Sequence, residues 1–475
     1  MKTTIYYSTS FWKQNLLFLY SLAMILFSGC KSPNSKPTLK PNIVFIIVDD
    51  LGYSDVGYMN QKPEVQTPNI DKLAKSGMVF TNAYAASPVC SPTRASIFTG
   101  KYPATLQLTC HIPGVGMKPY LARRNKDKKL MEAAFIDRLP REELTFAEVL
   151  KEHGYKTAFL GKWHLAGEGS QKTTDGVVDE MFHPDQQGFD VNIGGCAYGQ
   201  PANYFSPYGN ATIKDGDKNE YLTDRMGNEA CKFIEENKNN PFLLALCTYT
   251  VHSPLEAPQE IIDKYKGNKY LAMIDKLDEN VGKVLSKLNA LGLNENTLVI
   301  LYSDNGGVYN NPPLNNYKGS LYEGGIRVPL IISHPGKIQA GSKCDVPITS
   351  PDFFPTILET AKIPSVKYKM LEGKNLWPLL SEKDGFEERA IYWHFPHHRN
   401  TEKAMGAAIR MGEWKLIWEY ETNELSLFNL ENDIEETKNL ASTNSEKSKF
   451  LHNKLKAWLN KTNAAMPQLN PDYRN

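Results

Sequence analysis

The segment Asn42-Ile-Val-Phe-Ile-Ile-Val48 is an almost unbroken apolar, β-branched run. Such runs form strands buried on both faces, as in a parallel sheet. Similar runs recur at 157–160, 242–248, 297–302 and 328–333. Between them apolar residues fall at helical spacing. One such stretch, 144–153, stops at Gly154, and another covers 221–238. The longest, 268–291, puts Leu271, Ile274, Leu277, Val281 and Val284 on one face and ends at Gly292. Strands alternating with helices predict an α/β fold, a mostly parallel central sheet with helices on both faces. After about residue 385 the pattern changes. Strand-like 390–394, 407–420 and 425–430 follow one another closely, and 447–460 is helical. This predicts a smaller C-terminal α+β subdomain with an antiparallel sheet. Two stretches, 104–141 and 166–219, have no regular period. Loops of that length in a compact protein are usually functional or disordered.

The first residues follow another logic. Lys2 and Lys13 precede the apolar run 16–27, and Ser28-Gly29-Cys30 follows. A charged start, a short apolar core and small residues at a cleavage point describe a signal peptide. The run is too short to span a bilayer comfortably. A cysteine straight after Ser-Gly resembles a bacterial lipobox, with Phe27 where leucine is more usual. The expected organisation is a signal peptide at 1–29, a lipid-anchor tether at 30–40, the main α/β domain at 41–384 and the subdomain at 385–475. The expected protein is exported to the periplasm or cell surface and anchored at Cys30. Ordinary secretion or an uncleaved anchor are the alternatives.

Composition narrows the classes. Of 475 residues, 41% are hydrophobic and 23% charged, which excludes a disordered chain or a coiled coil. Lys+Arg 54 against Asp+Glu 53 leaves +1, without the global basic signal of a nucleic-acid binder. Seven cysteines are too few for a disulfide scaffold in a chain this long.

Candidate chemistry gathers where strands end, the edge at which open α/β sheets bind ligands. Asp49 and Asp50 follow the first strand, Lys162 and His164 the second, His252 the third, and Asp304 and Asn305 the fourth. A turn explains a polar residue at one exit easily and at four exits poorly. The acid pairs offer oxygen ligands only, which select hard cations such as Ca²⁺ or Mg²⁺ over zinc. Cys90-Ser-Pro-Thr-Arg94, continuing to Thr99-Gly100, carries the strongest signal. Proline at its third position suits a first helical turn, so Cys90 falls at a helix N-terminus where amide donors favour an anion. Arg94 lies one turn on, on the same face. A small buried cysteine before an ordinary helix is the plainer explanation of Cys90 alone.

That string resembles the Cys-x-Pro-x-Arg signature of the type I, formylglycine-dependent sulfatases of the alkaline-phosphatase-like superfamily. Val48-Asp-Asp-Leu-Gly-Tyr, Gly161-Lys-Trp-His164, His252-Ser-Pro, Ser303-Asp-Asn-Gly-Gly and Lys318-Gly…Glu323-Gly-Gly-Ile-Arg-Val-Pro resemble further family blocks in family order. The tail Leu427-Phe-Asn-Leu-Glu-Asn-Asp433…Glu436…Asn439-Leu resembles the family's C-terminal element, with Ile434 where proline is more usual. The resemblance implies a sulfuric ester hydrolase. It implies that Cys90 becomes formylglycine through a formylglycine-generating or radical maturation enzyme. Its hydrate attacks sulfur and forms a covalent sulfate ester. It further implies one Ca²⁺ held by Asp49, Asp50, Asp304, Asn305 and residue 90, with Asp304 also the base for the attacking hydroxyl. Arg94, Lys162 and Lys318 become donors to the sulfate and the diol. His252 becomes the acid for the leaving alcohol, with Lys318 sharing that region, and His164 takes a proton from the second hydroxyl. Glu323 and Arg327 read as a structural ion pair. The basic run 123–129 reads as solvated surface that could also attract a polyanion. Two competitors remain: a phosphomonoester or phosphodiester hydrolase of the same superfamily, and a non-catalytic surface glycan-binding lipoprotein.

A tethered surface sulfatase suits sulfated poly- or oligosaccharides, with galactose or N-acetylgalactosamine sulfates suggested by the general look of the C-terminal block. Tyr120, His183, Tyr198, Tyr204 and Tyr208 in the long loops, and Tyr392-Trp-His394-Phe-Pro-His397-His398-Arg399, are subsite candidates. Ordinary packing competes for the aromatics. The three histidines lack four-ligand zinc spacing. With Cys30 and Cys90 assigned, Cys110, Cys196, Cys231, Cys247 and Cys344 allow at most two disulfides. Cys247, in a buried strand, is the expected free thiol.

Overall fold

The computed structural model describes Met1 and residues 40–59, 61–112, 127–167, 180–399 and 401–474. The signal-peptide segment and Cys30, Tyr120 and most of the basic run lie outside these residues. Residues from Lys40 to Asn475 form one compact unit.

Eight strands form the main sheet: β1 (Asn42–Val48), β2 (Met78–Phe80), β3 (Lys156–Gly161), β4 (Val191–Ile193), β5 (Phe242–Cys247), β6 (Thr297–Ser303), β7 (Leu330–Ser333) and β8 (Ser342–Cys344). Their order is β8-β2-β7-β6-β1-β5-β3-β4. The centre is parallel, with β1 between β5 and β6. Strand β7 alone runs antiparallel to both its neighbours. The apolar run of β1 has a direct cause. Ile43, Phe45 and Ile47 enter the core on one face, and Val44, Ile46 and Val48 enter the core on the other. Successive side chains point to opposite faces, so a strand covered on both sides has no place for a polar residue.

Helices α1 (Pro68–Ser76), α4 (Leu222–Glu236) and α5 (Lys269–Ala290) cover one face. The other face is covered by α2 (Cys90–Thr99), α3 (Phe146–Glu152) and α6 (Phe353–Thr360). Caps set their ends as the sequence indicates. Asn268 accepts the Leu271 amide at the start of α5, and Thr145 with Glu148 forms a capping box on α3.

The C-terminal sheet is antiparallel, in the order β9 (Ile391–Phe395), β10 (Gly406–Met411), β11 (Trp414–Glu419), β12 (Leu425–Asn429), with α7 (Ser445–Lys461) packed on it. The single strand expected at 407–420 is instead a hairpin. It turns at Gly412, whose φ of 60° is the left-handed conformation glycine adopts without strain. Short strands β2, β4 and β8 carry no period long enough to be read from sequence. No helix among the described residues is long and apolar enough to cross a membrane. The six described cysteines are all free thiols, so Cys247 is unpaired but not distinctive in that respect.

Candidate active site

The strand exits converge. Asp49 and Asp50 leave β1, and Asp304 and Asn305 leave β6 beside it; all four are fully buried. Carboxylate oxygens of Asp49, Asp50 and Asp304 lie within 4.8 Å of one another. Asp50 has a φ of 61°, which turns the chain so that its amide meets Asp304 Oδ1 at 3.2 Å. Asn305 Nδ2 donates to Asp50 Oδ1 at 2.7 Å.

Helix α2 begins at Cys90, as the proline two residues later requires, and all its side chains are buried. One turn on, Arg94 donates through Nε to Asp304 Oδ2 (2.7 Å) and through Nη1 to the Lys162 carbonyl (2.6 Å). From β3, Lys162 Nζ reaches Asp49 Oδ2 at 2.7 Å. Its position depends on Gly161, where φ is 98° and a Cβ would stand 2.0 Å from the Cys247 carbonyl oxygen. Lys318, from the loop before the short helix Glu323–Ile326, donates to Asp50 Oδ1 at 2.6 Å.

His164 sits at a φ of 62°. A non-glycine residue held there marks a constrained position. Its Nε2 is 2.9 Å from the Ile112 carbonyl, and its Nδ1 is 3.3 Å from Cys90 Sγ. A carbonyl only accepts, so Nε2 carries the hydrogen and Nδ1 offers its lone pair to residue 90. Burial, reinforced by Lys162, holds the ring well below its ordinary pKa and therefore neutral. His252, after β5, donates through Nδ1 to the Ser253 carbonyl (2.8 Å) and turns Nε2 toward Asp50 Oδ2 at 3.7 Å. Burial lowers it to about 4, against the attraction of Asp50.

Electrostatics follow from this crowding. Burial raises Asp49 to about 6, although Lys162 opposes it. Burial acts on Asp50 too, but Lys318 and His252 outweigh it and hold that carboxyl below the usual range. Burial opposes ionisation of Cys90, yet Lys162 and Lys318 bring its thiol below the ordinary value. Three buried acids face three cations, a balanced set before any ligand enters.

The donor set fits a hard cation. Asp49 Oδ1, Asp50 Oδ2 and Asn305 Oδ1 are buried without a hydrogen-bond partner. Buried oxygens left unpaired are costly, and a cation satisfies all three at once. Arg94 Nη2 is likewise buried without a hydrogen-bond partner.

All ten proposed site residues therefore meet at one centre. Most sugar-subsite candidates do not reach it or any surface. Tyr198, Tyr204 and Tyr208 are core side chains, and Tyr204 Oη donates inward to the Tyr249 and His252 carbonyls. His183 is buried. Trp393 and Phe395 are buried together. His394 is bonded to Tyr420 Oη and the Ala465 carbonyl, and Tyr392 stacks on Trp458 at 4.8 Å. His397 Nε2 lies 2.8 Å from Thr109 Oγ1, and His398 Nε2 donates to the Leu130 carbonyl. A buried ring has no face left for a sugar, so Tyr198, Tyr204, Tyr208, His183, Trp393, Phe395, His394 and His397 are corrected to packing, whereas Tyr392 and His398 are only partly buried. Arg399 is half-buried and has no ion-pair or hydrogen-bond partner among the described residues. Sequence reasoning missed the 110–112 segment, whose contribution is a backbone carbonyl and therefore has no residue-type signal.

The expected Glu323–Arg327 pair exists at 3.4 Å, within a larger buried network. Lys415 Nζ, on β11, donates to Glu323 Oε1 and Glu436 Oε1, both at 2.8 Å. Glu436 Oε2 also accepts the Glu323 amide at 2.6 Å, and Tyr84 Oη donates to Glu323 Oε2. The C-terminal element thus fastens the segment that follows Lys318.

A mostly parallel sheet whose strand ends gather three buried acids beside a cysteine at a helix N-terminus is the arrangement of an alkaline-phosphatase-like hydrolase. The chain belongs to the sulfatase family within that superfamily: residues 41–363 match the sulfatase family profile. Residues 316–465 match the profile described as N-sulphoglucosamine sulphohydrolase, C-terminal. A sulfatase of Formosa agariphila is 32% identical, with 90% of each chain covered. Human steryl-sulfatase is 29% identical over 75% of this chain and 72% of its own. Mouse N-acetylgalactosamine-6-sulfatase is 28% identical over 85% and 76%. The crystal structure of Ps i-CgsB in complex with k-i-k-neocarrahexaose superposes with a TM-score of 0.74 at 30% identity, covering 91% of this chain and 94% of that one. The protein is a sulfatase, and the competing phosphatase and non-catalytic readings give way to it.

Proposed function

We propose that this sulfatase removes sulfate from a sulfated carbohydrate, with residue 90 matured to formylglycine and Ca²⁺ held by Asp49, Asp50, Asp304, Asn305 and residue 90. The Cys90–His164–Ile112 line carries the reading. It places a proton acceptor of fixed tautomer 3.3 Å from the side chain of residue 90. Formylglycine, once hydrated, supplies a hydroxyl nucleophile and a second hydroxyl whose proton must be removed. Ca²⁺ supplies Lewis-acid stabilisation of the sulfate's charge. The chain's own residues do the rest. Nδ1 of His164 takes the proton of the second hydroxyl. Lys162 and Lys318 present ammonium groups to sulfate oxygens, and Arg94 holds Asp304 in place while keeping Nη2 for the anion. His252 Nε2 faces the centre as proton donor to the departing alcohol. An anionic ester alongside raises its affinity for that proton.

A carbohydrate substrate is supported by the saccharide in the Ps i-CgsB complex and by the N-acetylgalactosamine-6-sulfatases. Maturation by a formylglycine-generating or radical enzyme belongs to the same proposal. So does export with a lipid anchor at Cys30, which rests on the sequence pattern alone. The test combines mass analysis of the residue-90 peptide with sulfate release from a saccharide panel. We expect an aldehyde in place of the thiol, and activity that Cys90→Ala abolishes while the protein stays folded. A plain thiol in fully active enzyme overturns the maturation; silence on every saccharide beside activity on an aryl or steryl sulfate overturns the substrate class.

A further inference from the structure

Arg399 lies beyond β9, in the segment that returns toward the catalytic centre. It packs against Gly319, where a Cβ would meet Arg399 Nε at 3.3 Å. Gly319 follows Lys318, whose ammonium bonds Asp50. The two segments are stitched together: Thr401 Oγ1 donates to the Gly319 carbonyl (2.8 Å), Ser320 Oγ to the Glu402 carbonyl (2.6 Å), and the Leu321 amide to the Lys403 carbonyl (3.0 Å). A second brace comes from His397, which meets Thr109 and lies 3.5 Å from Glu132. Thr109 leads into Cys110-His111-Ile112, the stretch whose Ile112 carbonyl orients His164. Arg399 thus stands on the wall of the centre, between the loop of Lys318 and the segment of His111.

Among the described residues the Arg399 side chain has no ion-pair or hydrogen-bond partner, and it is half-buried. Glu132, an acid of the same neighbourhood, is turned to His397 and is raised by burial to about 7, with His398 and then Arg399 opposing the rise. The field at this wall is positive. Burial lowers His111 well below its ordinary value, and Arg399, His164 and Lys318 add to the effect. A guanidinium is a fork of donors suited to the paired oxygens of sulfate or carboxylate. One that is partly desolvated and unpaired gains most from an anion brought by a ligand.

We propose that Arg399 is a specificity residue that binds a second anionic group of the substrate, so that the preferred saccharide carries a further sulfate or a carboxylate near the sulfate being removed. This rests on the carbohydrate sulfatase reading and adds to it a dianionic substrate class.

Three matched disaccharides test it, with the scissile sulfate held constant: one otherwise neutral, one with a second sulfate, one with a uronate carboxylate. For the wild type, kcat/KM is expected to be about tenfold or more higher for a dianionic member, the scale of one charged hydrogen bond. Whether sulfate or carboxylate wins identifies the group. In Arg399→Ala the preference should collapse to within about threefold, chiefly through KM, and Arg399→Lys should restore part of it. Absence of preference in the wild type, or an unchanged ratio in Arg399→Ala, overturns the proposal. If the wild type releases sulfate from none of the three, the carbohydrate reading fails. The same disaccharides titrated onto Cys90→Ala then decide the present one, with equal affinities overturning it and tighter dianion binding lost in Cys90→Ala/Arg399→Ala supporting it.

Discussion

At the scale of single residues, function is written in protons that have only one place to go. The Ile112 carbonyl takes the only hydrogen of the neutral His164 ring and leaves Nδ1 bare toward residue 90. His164→Asn should therefore lower kcat for sulfate release about 100-fold with little change in KM, the loss expected for one general base. A matching rise in KM would show a binding role instead. The unpartnered oxygens of Asp49, Asp50 and Asn305 give a second expectation. Chelation should reduce sulfate release, and Ca²⁺ should restore it better than Zn²⁺; the reverse order would point to nitrogen or sulfur ligands. These residues were legible in the sequence because a strand end marks each of them. Tyr204 and Tyr208 were misread because an aromatic in a long loop looks the same whether it packs or binds. The Ile112 carbonyl was invisible because every residue has one.

At the scale of elements, close backbone approach places the side chains. Gly161 ends β3 against the Cys247 carbonyl, and the next amide, of Lys162, donates to that same oxygen at 2.7 Å. Gly161→Ala puts a methyl where the carbonyl stands and strains a φ of 98°. It should cost about 1–3 kcal/mol in urea unfolding and displace Lys162, with a larger loss of kcat/KM than of stability. The hairpin at Gly412 shows the limit of period reading. Alternation continues across a tight turn, so β10 and β11 merge into one apparent strand, whereas the long periods of β1 and α5 fixed those elements from sequence. Lys415→Met should destabilise by about 3–5 kcal/mol, because it leaves Glu323 and Glu436 buried without their shared cation. Chemical denaturation measures this, and a neutral outcome would mean that packing replaces the ions.

At the scale of the whole molecule, the two-sided core explains why fold class was the most legible property. A sheet apolar on both faces has few architectures open to it. The same burial gives the protein an acid limit. His394 is held down to about 4 from an ordinary 6.5 by burial, with His397 helping and the bond to the Ala465 carbonyl opposing. The folded ring stays neutral while the unfolded one takes a proton below 6.5. Stability from this group is therefore complete above 6.5 and falls as pH drops toward 4, by up to about 3 kcal/mol. Urea midpoints at pH 7.5, 5.5 and 4.5 should decline, and His394→Gln should flatten the decline between the first two.

The ions shared by Glu323, Lys415 and Glu436 also bear on inheritance. Half of that network belongs to the segment carrying Lys318 and half to the C-terminal sheet, which also leads to Arg399. Swapping this tail between relatives to change sugar preference would transplant an electrostatic lock together with the selectivity. A chimera that imports the new tip without a matching lysine and glutamate should fail as a folded protein before its specificity is ever read. Recombination is expected to succeed only at joints that keep the lock and its key in one parent.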